Sequence, residues 1–156
     1  MSADLAPGHP ATLYEAVGGR AGVLALAAAW HARCLDDPVA SHPFSHGGLH
    51  PQHVERLAAY WGEAWGGPAD FTSALGDHAG MVRMHAGQGQ HAELDEITIG
   101  LFGLALGDVG VPEEARPVLE DYFRHVTAEL AQYPESADGV PADAPFPHWG
   151  WDGPAR

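Results

Sequence analysis

Three stretches of this chain place apolar side chains at three- and four-residue steps, and no stretch of comparable length alternates in the two-residue rhythm of a strand. That helical period restricts the fold more than any other feature. Val23, Leu24, Leu26, Ala27, Trp30, His31 and Cys34 form one wide face that Asp36-Asp37-Pro38 brings to a stop. His53, Leu57, Tyr60 and Trp61 share a second face, and Val118, Leu119, Tyr122, Phe123, Val126 and Leu130 a third. The expected class is all-α.

Punctuation between these faces sets the order of elements. Thr12 with Glu15 three residues on reads as a capping box, and Gly18-Gly19 ends that first short helix. From Pro38 to Gly48 the chain reads as loop, with Phe44 its one large apolar anchor. Pro51 suits the first turn of a helix running to about Ala64, which WGGP at Trp65 to Pro68 breaks. A glycine-rich stretch carrying Phe71 and His78 leads to MVRMHAGQ at Met81 to Gln88, read as a short apolar turn around one imidazole. Glu93 to Leu106 is helical by apolar content, although Gly100 and Gly103 weaken it by about 1 kcal/mol each against alanine. Close helix packing is the expected reason for them. The last helix starts near Pro112-Glu113-Glu114, with Pro117 in its first turns. Residues 134–156 are a proline- and tryptophan-rich tail whose Phe146, Trp149 and Trp151 are expected to pack on the body. No internal repeat interrupts this reading of a single domain.

Charge and cysteine content narrow the partners. The 156 residues carry a formal charge of −14, with 21 acidic residues against seven arginines and no lysine, which repels nucleic acid and anionic membranes. Cys34 is the only cysteine, so an intramolecular disulfide is ruled out, and the N-terminus lacks the charged and apolar regions of a signal peptide. The longest apolar candidate, Ile97 to Leu106, falls short of the roughly 20 residues that cross a bilayer. A cytoplasmic protein is expected.

Eleven histidines make metal chemistry the first question. His42, His46, His50 and His53 cluster, but Gly47, Gly48 and Pro51 interrupt any continuous helix and no zinc-finger spacing is present. No G-x-S-x-G and no P-loop occurs. What remains is apolar faces bearing single histidines, the parts of a slot for a flat porphyrin: apolar walls, one imidazole for iron, and a tuned opposite side. His85 can reach iron from one side while Phe44, His53, Leu57 and Ile97 line the other. A lone histidine on an apolar face is more often an ordinary core residue, and spacing alone does not overturn that reading.

LYEAVGG at Leu13 to Gly19, DDP at Asp36 to Pro38, ERLAAYWGEAWGGP at Glu55 to Pro68, GDHAGMVRMHA at Gly76 to Ala86 and LEDYF at Leu119 to Phe123 together resemble the group II truncated haemoglobins. Order and spacing match from about Thr12 to Gln132. The resemblance implies a truncated globin, a two-over-two helical sandwich enclosing haem b, over residues 12–133, with residues 1–11 an N-terminal extension. It implies reversible binding of O2 or another diatomic ligand, with His85 as the proximal iron ligand. It puts Phe44, Leu57, Tyr60 and Phe71 on the haem pocket, Arg56 near a propionate, and Met81 and Arg83 among the contacts beside the proximal histidine. A haem enzyme with peroxidase, nitric-oxide or sulfide chemistry and a ligand sensor are the alternative functions. A reductase and a second copy of the chain are the expected protein partners.

The departures from the family pattern concern the ligand side. Where these proteins usually carry a distal tyrosine on the second helix, this chain has Trp30-His31, so His31 takes the place of the phenol. His53 falls at a ligand-gating position that is small in many members. A tryptophan common on the fifth helix is replaced by Ile97 or, with a different gap, Thr98. Val82 and Met84 thin the basic residues before His85.

Overall fold

The computed structural model describes residues 9–44 and 50–155. His46, Gly47, Gly48 and most of the N-terminal extension therefore lie outside the described residues. Among the described residues the chain folds into helices α1 (Leu13–Val17), α2 (Gly19–Asp36), α3 (His53–Ala64), α4 (His78–His85), α5 (Ala92–Asp108) and α6 (Arg116–Leu130), with 3-10 turns at His42–Phe44 and Glu113–Ala115. A two-stranded antiparallel ribbon, β1 (Trp149–Gly150) and β2 (Gly153–Pro154), closes the chain.

Local chemistry accounts for the boundaries. The Thr12 side chain accepts the Glu15 amide at 3.0 Å, satisfying an otherwise orphaned donor. Gly18 adopts φ +115°, a conformation open to glycine, so α1 ends and α2 begins within one residue. Asp77 caps α4 by accepting the Gly80 amide at 2.7 Å. MVRMHAGQ is thus not an isolated turn: its first five residues complete a two-turn helix that starts at His78, and the cap three residues upstream of Gly80 is what lets so short a segment hold helical form.

α2 packs against α3 and α5, α5 packs against α6, and the apolar faces of the two layers meet in one core. Leu13, Leu26, Trp65, Phe102, Leu106, Leu119 and Tyr122 are fully enclosed there. Trp61 stacks on Trp65, and Phe102 stacks on Phe123 with ring centroids 4.4 Å apart, joining the layers through aromatic contact. This is the two-over-two helical sandwich expected from the sequence. Among the described residues no helix is long and apolar enough to cross a membrane.

The tail is laid onto this body. Trp149 is 7% exposed, with its ring 5.6 Å from both Tyr122 and His125, while Trp151 donates its indole N–H to the Pro10 carbonyl at 2.9 Å. Phe146 lies 4.8 Å from Tyr60, ring centre to ring centre.

Gly100 and Gly103, two of the three glycines of α5, do not both meet the packing expectation. A side chain at Gly103 would approach the Glu120 carboxylate at 3.1 Å, but one at Gly100 would meet nothing within 4 Å. Gly100 is exposed, so close packing does not explain it. Gly100→Ala is accordingly expected to raise stability by about 0.5–1 kcal/mol by limiting the unfolded chain, as read by the midpoint of urea denaturation. A destabilised variant would mean that something outside the chain sits against that position.

Candidate functional site

The sandwich leaves a cavity of about 330 Å³ between α3, α4 and α6, within the size range of small-ligand sites. One wall is α3, where His53, Arg56, Leu57, Tyr60 and Trp61 follow at three- and four-residue steps. Opposite stand Gly80, Met81, Met84 and His85 of α4. Phe123, Val126 and Leu130 of α6 form the floor, with Trp30 and Phe44 at one end.

His85 is the last residue of α4, and its imidazole is both exposed and part of the cavity wall. Its Nδ1–H donates to the Met81 carbonyl one turn back at 2.8 Å. That bond orients the ring, fixes the tautomer, and leaves Nε2 with a lone pair and no protein partner among the described residues. Surrounding protein lowers the pKa of the ring, outweighing the opposing effect of the Met81 hydrogen bond. The neutral form is the one that ligates metal.

Across the cavity His53 and His31 lie 5.3 Å apart by ring centres, with Phe44 5.0 Å from His31 and 5.7 Å from His53. His53 Nε2 and His31 Nδ1 are both buried without a hydrogen-bond partner. The pKa of His53 is lowered first by burial and then by the neighbouring imidazoles of His31, His85 and His50, and that of His31 by burial. Buried polar atoms left unpaired in a fold are costly, and that of His53 belongs to a residue of the cavity wall, where a ligand would meet it. Arg56 is the only arginine lining the cavity among the described residues; its guanidinium donates to the Leu75 carbonyl at 3.2 Å.

Phe44, His53, Arg56, Leu57, Tyr60, Phe71, Met81 and His85 are thus brought to one cavity, while three other expected contacts do not line it. Arg83 points to the exposed side of α4. Ile97 is half-buried on α5 away from the cavity wall. His31 stands beside the wall and touches it through Phe44 and His53, because its neighbour Trp30 takes the inward position. Trp30 donates its indole N–H to the Thr98 carbonyl at 3.1 Å, which seats that large ring between α2 and α5. Trp30, Trp61, Met84, Phe123, Val126 and Leu130 were not among the expected pocket residues. The α6 residues were legible as an inward face, but nothing in the spacing separates core from cavity wall.

A mostly apolar cavity with the oriented imidazole of His85 on one wall and the unpaired Nε2 of His53 on the other has the parts of a haem-binding site. The chain belongs to the bacterial-like globin family, whose model matches residues 12–131. Solved structures agree. The chain is 29% identical to the haemoglobin of the thermophilic phototroph Chloroflexus aurantiacus, covering 79% of this chain and 99% of that one with a TM-score of 0.68. It is 27% identical to a thermostable haemoglobin from the actinobacterium Thermobifida fusca, covering 80% and 99% with a TM-score of 0.66. At 18% identity the group II truncated haemoglobin of Bacillus anthracis shares the fold, with 84% and 98% covered and a TM-score of 0.68. No curated protein is similar enough in sequence to match.

The residues present fit haem. The donor set suits iron, since Nε2 of His85 has no hydrogen-bond partner among the described residues, and the lining is mostly apolar or aromatic. His85 would hold the iron, Leu57, Met81 and Val126 the ring, and Arg56 a propionate.

Proposed function

We propose that this chain binds O2 and other small diatomic ligands reversibly at the iron of haem b. When bound, the haem would supply an iron that can take up such a ligand. His85 would hold that iron through Nε2, its ring oriented by the Met81 carbonyl. The observation that carries the reading is the unpaired, buried Nε2 of His53 on the opposite wall. In the neutral tautomer with the proton on Nε2, that atom donates to the outer, negatively polarised atom of a diatomic ligand inside an apolar pocket. His31 stands behind it and limits its rotation, together with Phe44. The two imidazoles therefore substitute for the tyrosine that the family pattern usually supplies. We place the protein in the cytoplasm, with a reductase to keep the iron ferrous.

An N–H aimed at the ligand contributes roughly 1–3 kcal/mol, or about one to two decades in dissociation rate. Stopped-flow release of O2 from the ferrous protein is accordingly expected to quicken by that factor in His53→Leu. His31→Leu, which acts through the orientation of His53, is expected to change it by less than about tenfold. Unchanged rates in both variants would remove the histidines from ligand control.

A further inference from the structure

Two tyrosines that line the cavity are buried, and the fold treats their hydroxyls differently. Tyr122 Oη is buried without a partner, whereas Tyr60 Oη lies 2.7 Å from His78 Nδ1. His78 is itself 2% exposed, and its Nε2 lies 2.7 Å from the Glu129 carboxylate, which reaches solvent. The carboxylate accepts, so Nε2 carries a proton; with that tautomer Nδ1 offers its lone pair and the Tyr60 hydroxyl donates to it. Phenol, imidazole and carboxylate thus form a chain running from cavity wall to surface across α3, α4 and α6. None of the three is required for haem ligation.

A buried phenol cannot readily lose an electron alone, because the radical cation left behind is an acid with no water to take its proton. A base already hydrogen-bonded to the oxygen removes that obstacle, and a carboxylate behind the base stabilises the imidazolium formed. Tyr60 has both. Its ring is 1% exposed, packed edge-on against Phe71 at 5.2 Å and against Phe146 of the tail at 4.8 Å, which shields it from solvent.

We propose that Tyr60 is a redox-active tyrosine: a peroxide admitted to the haem-loaded cavity draws one electron from its ring while the phenolic proton passes to His78 Nδ1. The O–H bond breaks, an N–H bond forms, and the products are a neutral phenoxyl radical and an imidazolium paired with Glu129. A small phenol in solution, matched to Tyr60 in its own O–H chemistry, returns the electron, and His78 returns the proton. Two such transfers serve each peroxide, so that H2O2 and two phenols give two waters and two phenoxyl radicals. The inference rests on the cavity holding haem and not on the reversible O2 binding proposed above.

The test is electron paramagnetic resonance of the ferric, haem-loaded protein frozen shortly after mixing with H2O2. An organic radical signal is expected, narrowed when the protein is grown on ring-deuterated tyrosine, with an exchangeable deuteron coupled to it in D2O. Tyr60→Phe, which keeps the ring packing, is expected to diminish the signal at least about tenfold while the Soret band persists. His78→Gln is expected to do the same with Tyr60 in place, as loss of a positioned base does. The idea is overturned by a signal that ignores tyrosine labelling, which would put the radical on Trp30 or Trp61 of the same cavity. Loss of the signal in Tyr122→Phe instead of Tyr60→Phe, or the absence of any organic radical, also overturns it. Labelling and deuteron coupling need no substitution: a tyrosine radical without a coupled exchangeable deuteron overturns the proposal even if a variant fails to fold, because Tyr60 is hydrogen-bonded and Tyr122 is not.

Discussion

His85→Ala is expected to abolish stable haem retention while leaving the helical fold in place. The side chain makes one hydrogen bond to protein, from Nδ1 to the carbonyl of its own helix, and its ring borders the cavity, so truncation opens no sealed core. What it removes is the one imidazole on the α4 wall. Loss of an outer partner to a metal ligand already costs roughly 10- to 100-fold in affinity, and loss of the ligand itself should exceed that. Haem content of the purified variant, read from the Soret band against protein concentration, with far-ultraviolet dichroism as the check on folding, measures the effect. A full haem complement with an unaltered ferrous spectrum would mean that another group holds the iron.

Trp149→Ala is expected to destabilise the protein by about 3 kcal/mol. Truncation of a buried tryptophan costs roughly 3–5 kcal/mol where the surroundings do not collapse, and Trp149 fills the space against Tyr122 and His125. The lower end applies because the tail can detach locally, and the loss cannot exceed the free energy with which it docks. For a chain of this size that corresponds to a fall in melting temperature of about 6–12 °C. An unchanged denaturation midpoint would show that residues 134–156 add nothing to the stability of the body in water.

How far the sequence reaches is clearest at α2. Its apolar stripe and its Asp-Asp-Pro stop are local, and they set the end of the helix that runs Gly19–Asp36, whereas its start on Gly19, a residue read as the end of α1, was not given. Which of Trp30 and His31 faces the cavity is not local. Both lie within the wide inward arc, and the choice falls to Trp30 because its indole N–H finds the Thr98 carbonyl on α5, 68 residues away. The same holds for the proximal histidine. Resemblance to a haem-binding family singled out His85 before any coordinates, but the bond that makes it a neutral ligand with Nε2 free depends on the Asp77 cap having made MVRMH helical, which the sequence reading as a turn did not anticipate.

Helix period, caps and breakers are short-range effects, so the sequence by itself determined that the chain is all-α, where most helices start and stop, and which faces turn inward. A family motif added the expectation that His85 is the iron ligand. The tertiary structure alone decided where the inward faces fail to fill space. A cavity is a shortfall in packing shared by several segments, and Phe123 is core or cavity wall only according to what stands opposite it. It also decided the Tyr60, His78 and Glu129 chain, whose members are separated by 18 and 51 residues; of these, periodicity placed only Tyr60 on an inward face. Hydrogen bonds of 2.7 Å depend on helix positions to within a fraction of an ångström, and those positions are set by the whole core at once.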